Sequence, residues 1–133
     1  MTVVVDASVA VKWVLPETGS DRAVAIRTAD DLIGPSLACA EIGSAIWRAV
    51  LRGDVPSADA RHHLRVAVSH YRQIIPIEAL ADQAIALAIR LRHPIYDCFY
   101  IALAERERCA LITADARLIA AAKAVKGVEL RPL

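Results

Sequence analysis

Four carboxylic acids in this sequence are candidates for chemistry because of where they fall relative to the expected strands and helices. They are Asp6, Glu41, Asp97 and Asp115. If they converge, two carboxylates about 4 Å apart repel by roughly 4 kcal/mol at an effective dielectric of about 20, which only protonation or a cation relieves. Oxygen-only ligands favour a hard ion such as Mg²⁺ or Mn²⁺, which also binds phosphate oxygens. The acids therefore indicate metal-dependent phosphate-ester chemistry.

Each acid taken singly has a simpler explanation. Asp6, Asp97 and Asp115 fall near expected helix N-termini, where an aspartate accepts hydrogen bonds from backbone N–H groups and complements the helix dipole. Glu41 has small, largely apolar neighbours on its helix, and an uncompensated buried charge is costly. Arg48, seven residues further on, is its obvious countercharge. A Glu41–Arg48 ion pair is thus the alternative to a metal site.

The elements that must position the acids alternate between strand and helix. The pattern predicts strands at residues 2–5, 74–77, 110–113 and 128–130, a brief strand and turn at 31–35, and helices at residues 9–15, 19–29, 37–51, 56–71, 78–91, 96–108 and 114–125. Parallel neighbours need crossover helices, so this alternation implies a parallel sheet covered on both faces. Ligands bind outside the carboxyl ends of such strands, where Asp6 and Asp115 fall.

Length and composition fit one globular domain spanning residues 1–133. Hydrophobic residues make up 56% of the chain and charged residues 23%, which excludes a disordered or fibrous class. No apolar run reaches the eighteen or so residues of a membrane span, and no basic secretory leader is recognisable, so we expect a cytoplasmic protein without membrane contact. The three cysteines have no CxxC spacing, and neither disulfides nor a zinc site is expected.

The net charge of +1 gives no global attraction to nucleic acid, but basic residues are unevenly distributed. Residues 46–72 contain two acids and five arginines: Arg48, Arg52, Arg61, Arg65 and Arg72. Arg48 and Arg52, beside the Glu41 helix, are candidate contacts for an RNA backbone. A solvated helix face, with arginine stems covering apolar neighbours, is the alternative.

Four segments of the chain carry a family resemblance. They are residues 4–9 (VVDASV), 35–37 (PSL) with Glu41, 96–104 (YDCFYIALA) and 111–118 (LITADARL). On these segments, which extend over nearly the whole chain, it resembles the PIN-domain ribonucleases, specifically the VapC-type toxins of bacterial and archaeal toxin–antitoxin pairs. One departure is Cys98 followed by Phe99, where family members often carry small residues.

The resemblance implies a three-layer α/β/α sandwich and cleavage of RNA by a Mg²⁺ or Mn²⁺ site. The ligands implied are Asp6, Glu41, Asp97 and Asp115, supported by the hydroxyls of Ser8 and Thr113. It also implies a cognate VapB-type antitoxin and a homodimer. The dimer has one support in the residues themselves, because alanine- and leucine-rich helices present more apolar surface than one sheet covers.

Two other functions share parts of this pattern. A phosphoacceptor receiver domain has a similar build and an acidic pocket, but it needs an acidic pair after its first strand, whereas Asp6 stands alone. A catalytically inert PIN-like interaction domain is the second alternative, and the presence of all four acids counts against it.

Overall fold

A five-stranded sheet, all of whose strands are parallel, forms the centre of the computed structural model, which describes residues 1–133. The strands are β1 (Thr2–Val5), β2 (Asp31–Pro35), β3 (Gln73–Ile75), β4 (Ala110–Thr113) and β5 (Leu130–Pro132), in the order β3-β2-β1-β4-β5. Central β1 is completely buried over its last three valines. A β-branched run without polar alternation is typical of a parallel strand covered on both faces.

Seven helices form the layers on either side of the sheet. They are α1 (Ala7–Ala10), α2 (Ser20–Ala29), α3 (Leu37–Leu51), α4 (Ala60–Ser69), α5 (Ala81–Leu91), α6 (Ile95–Glu107) and α7 (Ala116–Lys123). From β1 the chain moves to β2 and β3 at one edge of the sheet, with α1 to α4 as the connections. It then crosses to β4 and β5 on the other side of β1, with α5 to α7 as the connections. Because these crossovers are right-handed, helices α1 to α4 and helices α5 to α7 cover opposite faces of the sheet. The expected α/β/α sandwich is confirmed. None of the helices combines the length and apolar character that crossing a membrane requires.

The order of the strands creates a crevice between β1 and β4. The chain leaves β1 toward one edge of the sheet and leaves β4 toward the other, so their connections diverge. In open α/β sheets, ligands bind at such a switch point, outside the carboxyl ends of the strands. The residues directly after β1 and β4 begin at Asp6 and Ala114.

Tyr71 links β2 to the end of β1. Its ring lies against Gly34, where an added Cβ would come within 2.7 Å of the ring. Its hydroxyl donates a 2.9 Å hydrogen bond to the carbonyl oxygen of Val5. Gly34 therefore leaves room for a buried aromatic ring that fixes the backbone immediately before Asp6.

Several element boundaries differ from the sequence prediction. Strand β3 ends at Ile75 and not at residue 77, because Pro76 has no N–H for the ladder and a 3₁₀ turn (Ile77–Ala79) follows. Strand β5 lies two residues later than expected and includes Pro132, which an edge strand tolerates. Short 3₁₀ helices at Val11–Trp13 and Ser57–Asp59 replace parts of the expected α-helices.

Candidate active site

All four candidate acids line one pocket of about 350 Å³ at the carboxyl ends of β1 and β4. Other polar residues of the lining are Ser8, Lys12, Glu17 and Arg48. The acids come from four separate segments: the end of β1, α3, the first turn of α6 and the start of α7. The convergence expected from the sequence is therefore present.

Asp6 is the most deeply placed of the four acids. Its side chain is buried, and its backbone N–H donates a 3.0 Å hydrogen bond to the carbonyl oxygen of Ile112, which extends the pairing of β1 with β4. Its Oδ2 accepts hydrogen bonds from Ser8 Oγ at 2.6 Å and Thr113 Oγ1 at 2.8 Å. Asp6 occupies the N-cap position of α1 but makes no side-chain capping bond. The simpler helix-cap explanation is therefore wrong for Asp6.

The two hydroxyls connect Asp6 to the end of β4. Ser8 Oγ accepts a hydrogen bond from the backbone N–H of Ala114, and Thr113 Oγ1 accepts one from the N–H of Asp115, each at 3.0 Å. Since each hydroxyl oxygen already accepts a backbone N–H, it has its own proton to donate to Asp6. Ser8 and Thr113 thus orient one oxygen of Asp6 and the turn that carries Asp115.

Asp115 does cap a helix, as the simpler explanation of this residue predicts. Its Oδ1 accepts a 2.9 Å hydrogen bond from the backbone N–H of Arg117 at the start of α7. Only one of its two oxygens is used in this way, while the residue also lines the pocket. Capping and ligand binding are therefore compatible at this position.

Glu41 is bound by a tyrosine and not by an arginine. The hydroxyl of Tyr100, a fully buried residue of α6, donates a 2.6 Å hydrogen bond to Glu41 Oε1. Arg48 instead donates to Ser44 Oγ at 2.9 Å, although it lines the same pocket. The Glu41–Arg48 ion pair considered as an alternative is absent.

Asp97 is held by a histidine four residues before it. His93 Nε2 lies 2.6 Å from Asp97 Oδ2, and both side chains are about four-fifths buried. The backbone N–H of His93 donates to the carbonyl oxygen of Ala88 near the end of α5, and Pro94 is the N-cap residue of α6. Because an ionised carboxylate only accepts hydrogen bonds, we assign the proton to Nε2. The junction between α5 and α6 therefore fixes both members of this pair.

The four acids share one pattern of hydrogen bonding. Each has a single oxygen held by the protein: Asp6 Oδ2, Glu41 Oε1, Asp97 Oδ2 and Asp115 Oδ1. The second oxygen of each accepts no protein hydrogen bond, and all four residues line the pocket. No three acidic, histidine or cysteine side chains are already arranged as a metal-binding cluster. A shared ion would therefore draw these side chains closer together.

The electrostatics of the pocket favour a cation. Burial raises the pKa of Asp6, in spite of the hydrogen bonds from Ser8 and Thr113, and the nearby charges of Asp97 and Asp115 raise it further. Burial also raises the pKa of Glu41 to about 7, with a lowering by the Tyr100 hydrogen bond and a further rise from the other three acids. A set of oxygen donors whose charges repel one another fits a hard divalent ion such as Mg²⁺ or Mn²⁺.

Arg52 is separated from the acids. It forms a 3.0 Å ion pair with Asp54, in which both side chains are largely exposed. It lines a second cavity, of about 370 Å³, which shares Glu17 with the acid pocket. Of the two arginines suggested for RNA binding, only Arg48 lies at the acids.

Sequence reasoning missed four polar neighbours of the site. His93 and Tyr100 have a signal in the sequence, because they lie four residues before and three residues after Asp97, on or next to the same helix. Lys12 and Glu17 have none, since their place in the pocket depends on the path of the loop after α1.

The molecule is an open, parallel α/β/α sandwich with four acids at the switch point of its sheet. The chain belongs to the PIN domain family, which it matches over residues 3–124. It is 37% identical over 120 residues to ribonuclease VapC9 of Mycobacterium tuberculosis, an alignment that covers 87% of each chain. The family expected from the sequence is confirmed, and the receiver-domain alternative is wrong.

Solved structures share this fold. The crystal structure of PAE2754 from Pyrobaculum aerophilum is similar with a TM-score of 0.69 and 26% identity, covering 98% of this chain and 83% of that one. The structure of VapBC2 from Rickettsia felis, bound to a DNA fragment from its promoter, has a TM-score of 0.72 at 14% identity. That match covers 100% of this chain and 99% of the other.

Proposed function

We propose that residues 1–133 act as one PIN domain, a metal-dependent ribonuclease that is the toxin of a toxin–antitoxin pair in the cytoplasm. The observation that carries the proposal is the pocket at the β1–β4 switch point, where each of four acids keeps one oxygen for a ligand. The relationship to ribonuclease VapC9 supports RNA as the substrate.

Mg²⁺ or Mn²⁺ would be held by Asp6 and Asp97 as direct ligands, with Glu41 and Asp115 completing the shell or orienting water. Such an ion would polarise a phosphodiester and lower the pKa of bound water toward neutrality. The protein supplies rigid carboxylates: Ser8 and Thr113 orient Asp6, as described above. Both hydroxyls donate to Oδ2 of Asp6, so Oδ1 is left for a ligand.

We propose that Arg48 contacts the RNA backbone, with Arg52 as a more distant contact. Arg48 lines the pocket and is bound only to the neutral Ser44, so its charge is available to a phosphate. The charge of Arg52 is shared with Asp54. RNA affinity should therefore fall with salt, and Arg48 should contribute more to that dependence than Arg52.

We also propose a VapB-type antitoxin and a homodimer, because large apolar side chains are exposed in two places. Trp47 of α3, 59% exposed, lines a groove of about 230 Å³ between α3 and α4, and Leu51, 67% exposed, is the last residue of the same helix. Ile85 and Ile89 of α5 and Tyr96 of α6 are also exposed, on two helices that pack against each other. The groove has a mainly apolar lining that suits the apolar face of a partner helix, so we assign it to the antitoxin segment and the second surface to another copy of the chain.

Two assays test the proposal. The purified chain should cleave RNA in the presence of Mg²⁺ or Mn²⁺, and cleavage should stop when a chelator is added. Expressed alone, it should arrest growth, and an antitoxin encoded in the adjacent reading frame should restore growth and co-elute with it. A folded chain that leaves RNA intact with either ion would support the inert interaction domain instead, while cleavage without toxicity would contradict only the toxin assignment.

A further inference from the structure

One lysine lies among the acids of the pocket and takes no part in holding them. Lys12 belongs to the 3₁₀ helix that follows α1, so the segment that carries Asp6 also places Lys12. Its side chain is only 12% exposed. Lysines are rarely buried to this extent unless they are paired.

Glu17 holds the ammonium group in place. Lys12 Nζ donates a 3.1 Å hydrogen bond to Glu17 Oε2, and both residues line the acid pocket. The backbone of Glu17 is itself fixed, because its N–H donates to Ser20 Oγ at 2.9 Å and its carbonyl oxygen accepts the N–H of Ser20 at 3.1 Å. The loop before α2 therefore presents Lys12 to the pocket through Glu17.

The ammonium group has unused capacity for hydrogen bonding. A lysine carries three N–H donors, and Glu17 is the one protein acceptor of Lys12 Nζ. Because Lys12 lines the pocket, a ligand there can accept from the remaining donors.

Lys12 does not act as a counterion of the candidate metal ligands. No ion pair joins it to Asp6 or Glu41. The ammonium group of Lys12 therefore does not neutralise Asp6 or Glu41.

We propose that Lys12 binds a phosphate of the RNA strand at the acid pocket and that Glu17 is the residue that positions it. This inference rests on the proposed ribonuclease function. An RNA strand that enters the pocket meets five carboxylates, those of Glu17 and the four site acids, which repel its phosphates. An ammonium held among them, with two N–H donors that Glu17 does not take, offsets part of that repulsion.

The experiment compares RNA binding of Lys12→Gln and Lys12→Arg in an Asp97→Asn parent that does not cleave. The probe is a fluorescein-labelled RNA oligonucleotide of random sequence, measured by anisotropy over a series of salt concentrations. Lys12→Gln should weaken binding roughly tenfold, as expected for one charge-assisted hydrogen bond. It should also reduce the slope of log affinity against log salt by about 0.7, the loss of one phosphate contact. Lys12→Arg should keep the slope.

Lys123→Gln is the matched control, because it removes the same charge from an exposed position in α7 outside the pocket. In the cleaving enzyme, Lys12→Gln should raise KM more than it lowers kcat, since the contact exists before the reaction. Glu17→Gln should keep the salt slope and should not reproduce the tenfold loss of Lys12→Gln, because the lysine charge remains and the amide oxygen can still accept from it.

The possible outcomes separate the inference from the function on which it rests. If Lys12→Gln binds RNA with the affinity and slope of Lys123→Gln, the lysine is only a structural partner of Glu17 and the inference is wrong. If Lys12→Gln lowers the melting temperature, Lys12→Met replaces it in the comparison. Methionine keeps an aliphatic stem, and this variant should show the same loss of salt slope. A parent that does not bind RNA at all would contradict the ribonuclease proposal and, with it, this inference.

Discussion

Thr113 Oγ1 donates a 2.8 Å hydrogen bond to Asp6 Oδ2 and accepts a 3.0 Å hydrogen bond from the backbone N–H of Asp115. One fully buried hydroxyl at the end of β4 therefore connects two acids that lie far apart in the sequence. Since parallel strands β1 and β4 are neighbours, their carboxyl ends bring these groups together without any long side chain. Thr113 Oγ1 therefore contributes both to the stability of the fold and to the geometry of the site.

Replacement of Thr113 by valine, which has the same shape, should affect both properties. The change leaves the Asp115 N–H without its acceptor and removes one donor to Asp6, a loss of about 1–3 kcal/mol in the free energy of unfolding. RNA cleavage should fall about 10- to 100-fold, as for other residues that orient metal ligands. Thermal melting and cleavage rates measure the two effects. Thr28→Val, on the exposed face of α2, is the control, and equal behaviour of the two variants would contradict the role of Thr113.

The stability of the metal-free protein should depend on pH through Glu41. Burial raises the pKa of Glu41 from 4.5 to about 7 in the folded state, so the folded protein binds more protons than the unfolded chain between these values. The free energy of unfolding should therefore fall as pH rises from about 4.5 to about 7. Glu41→Gln should show a smaller fall and should be more stable than the parent above pH 7.

Urea unfolding in the presence of a chelator, at a series of pH values, measures this dependence. Asp6 also has a raised pKa, so some slope should remain in Glu41→Gln. Added Mg²⁺ or Mn²⁺ should stabilise the parent more at high pH than at low pH, because the carboxylates must lose their protons to bind it. Identical pH profiles for the parent and Glu41→Gln would show that Glu41 is not desolvated in this way.

His93 should matter for metal affinity through the hydrogen bond that it donates to Asp97. His93→Ala removes the donor and should weaken Mn²⁺ binding about 10- to 100-fold, whereas His93→Gln keeps an N–H donor and should recover part of the affinity. Mn²⁺ titration followed by the rise in melting temperature measures this without any cleavage assay. Exposed His62 provides the control variant His62→Ala. Undiminished Mn²⁺ affinity in His93→Ala would mean that Asp97 is oriented by α6 alone.

The proposed dimer surface can be tested apart from the active site. Ile89 of α5 is 73% exposed, so Ile89→Glu should cost the monomer little stability but should prevent burial of this surface between two copies. Size-exclusion chromatography with light scattering should then show a dimer for the parent and a monomer for Ile89→Glu. Trp47→Glu, in the groove between α3 and α4, should leave the dimer intact and impair antitoxin binding. A monomeric parent would contradict the dimer without affecting the nuclease proposal.

The sequence predicted most of the fold because its signals are local. The valine run of β1 and the uninterrupted helix from Leu37 to Leu51 are both found with the expected bounds. Placing Asp6 and Asp115 after strands was enough to anticipate that they meet. Strand order is not encoded locally, however, and neither the central place of β1 nor the edge position of β5 could be derived from periodicity.

The supporting residues of the site were less predictable, for different reasons. His93 does not follow a strand, where site residues are expected, yet its spacing of four from Asp97 is a recognisable signal at a helix start. The spacing of Tyr100 from Asp97 places it near the site, but only the tertiary structure brings its hydroxyl to Glu41 on another helix. Glu41 was expected to need a partner, and it has one, but a neutral donor from another helix fulfils that need.

The most direct test of the account is RNA cleavage by Asp6→Asn and Asp97→Asn, measured together with thermal melting in a chelator. Asparagine keeps the volume of aspartate and removes its charge, so both variants should melt close to or above the temperature of the parent, since they relieve repulsion among the acids. Both should lose metal-dependent cleavage, while Asp82→Asn, an exposed substitution in α5, should cleave as the parent does. If Asp6→Asn and Asp97→Asn are folded and cut RNA at the parental rate, the four acids are not the active site.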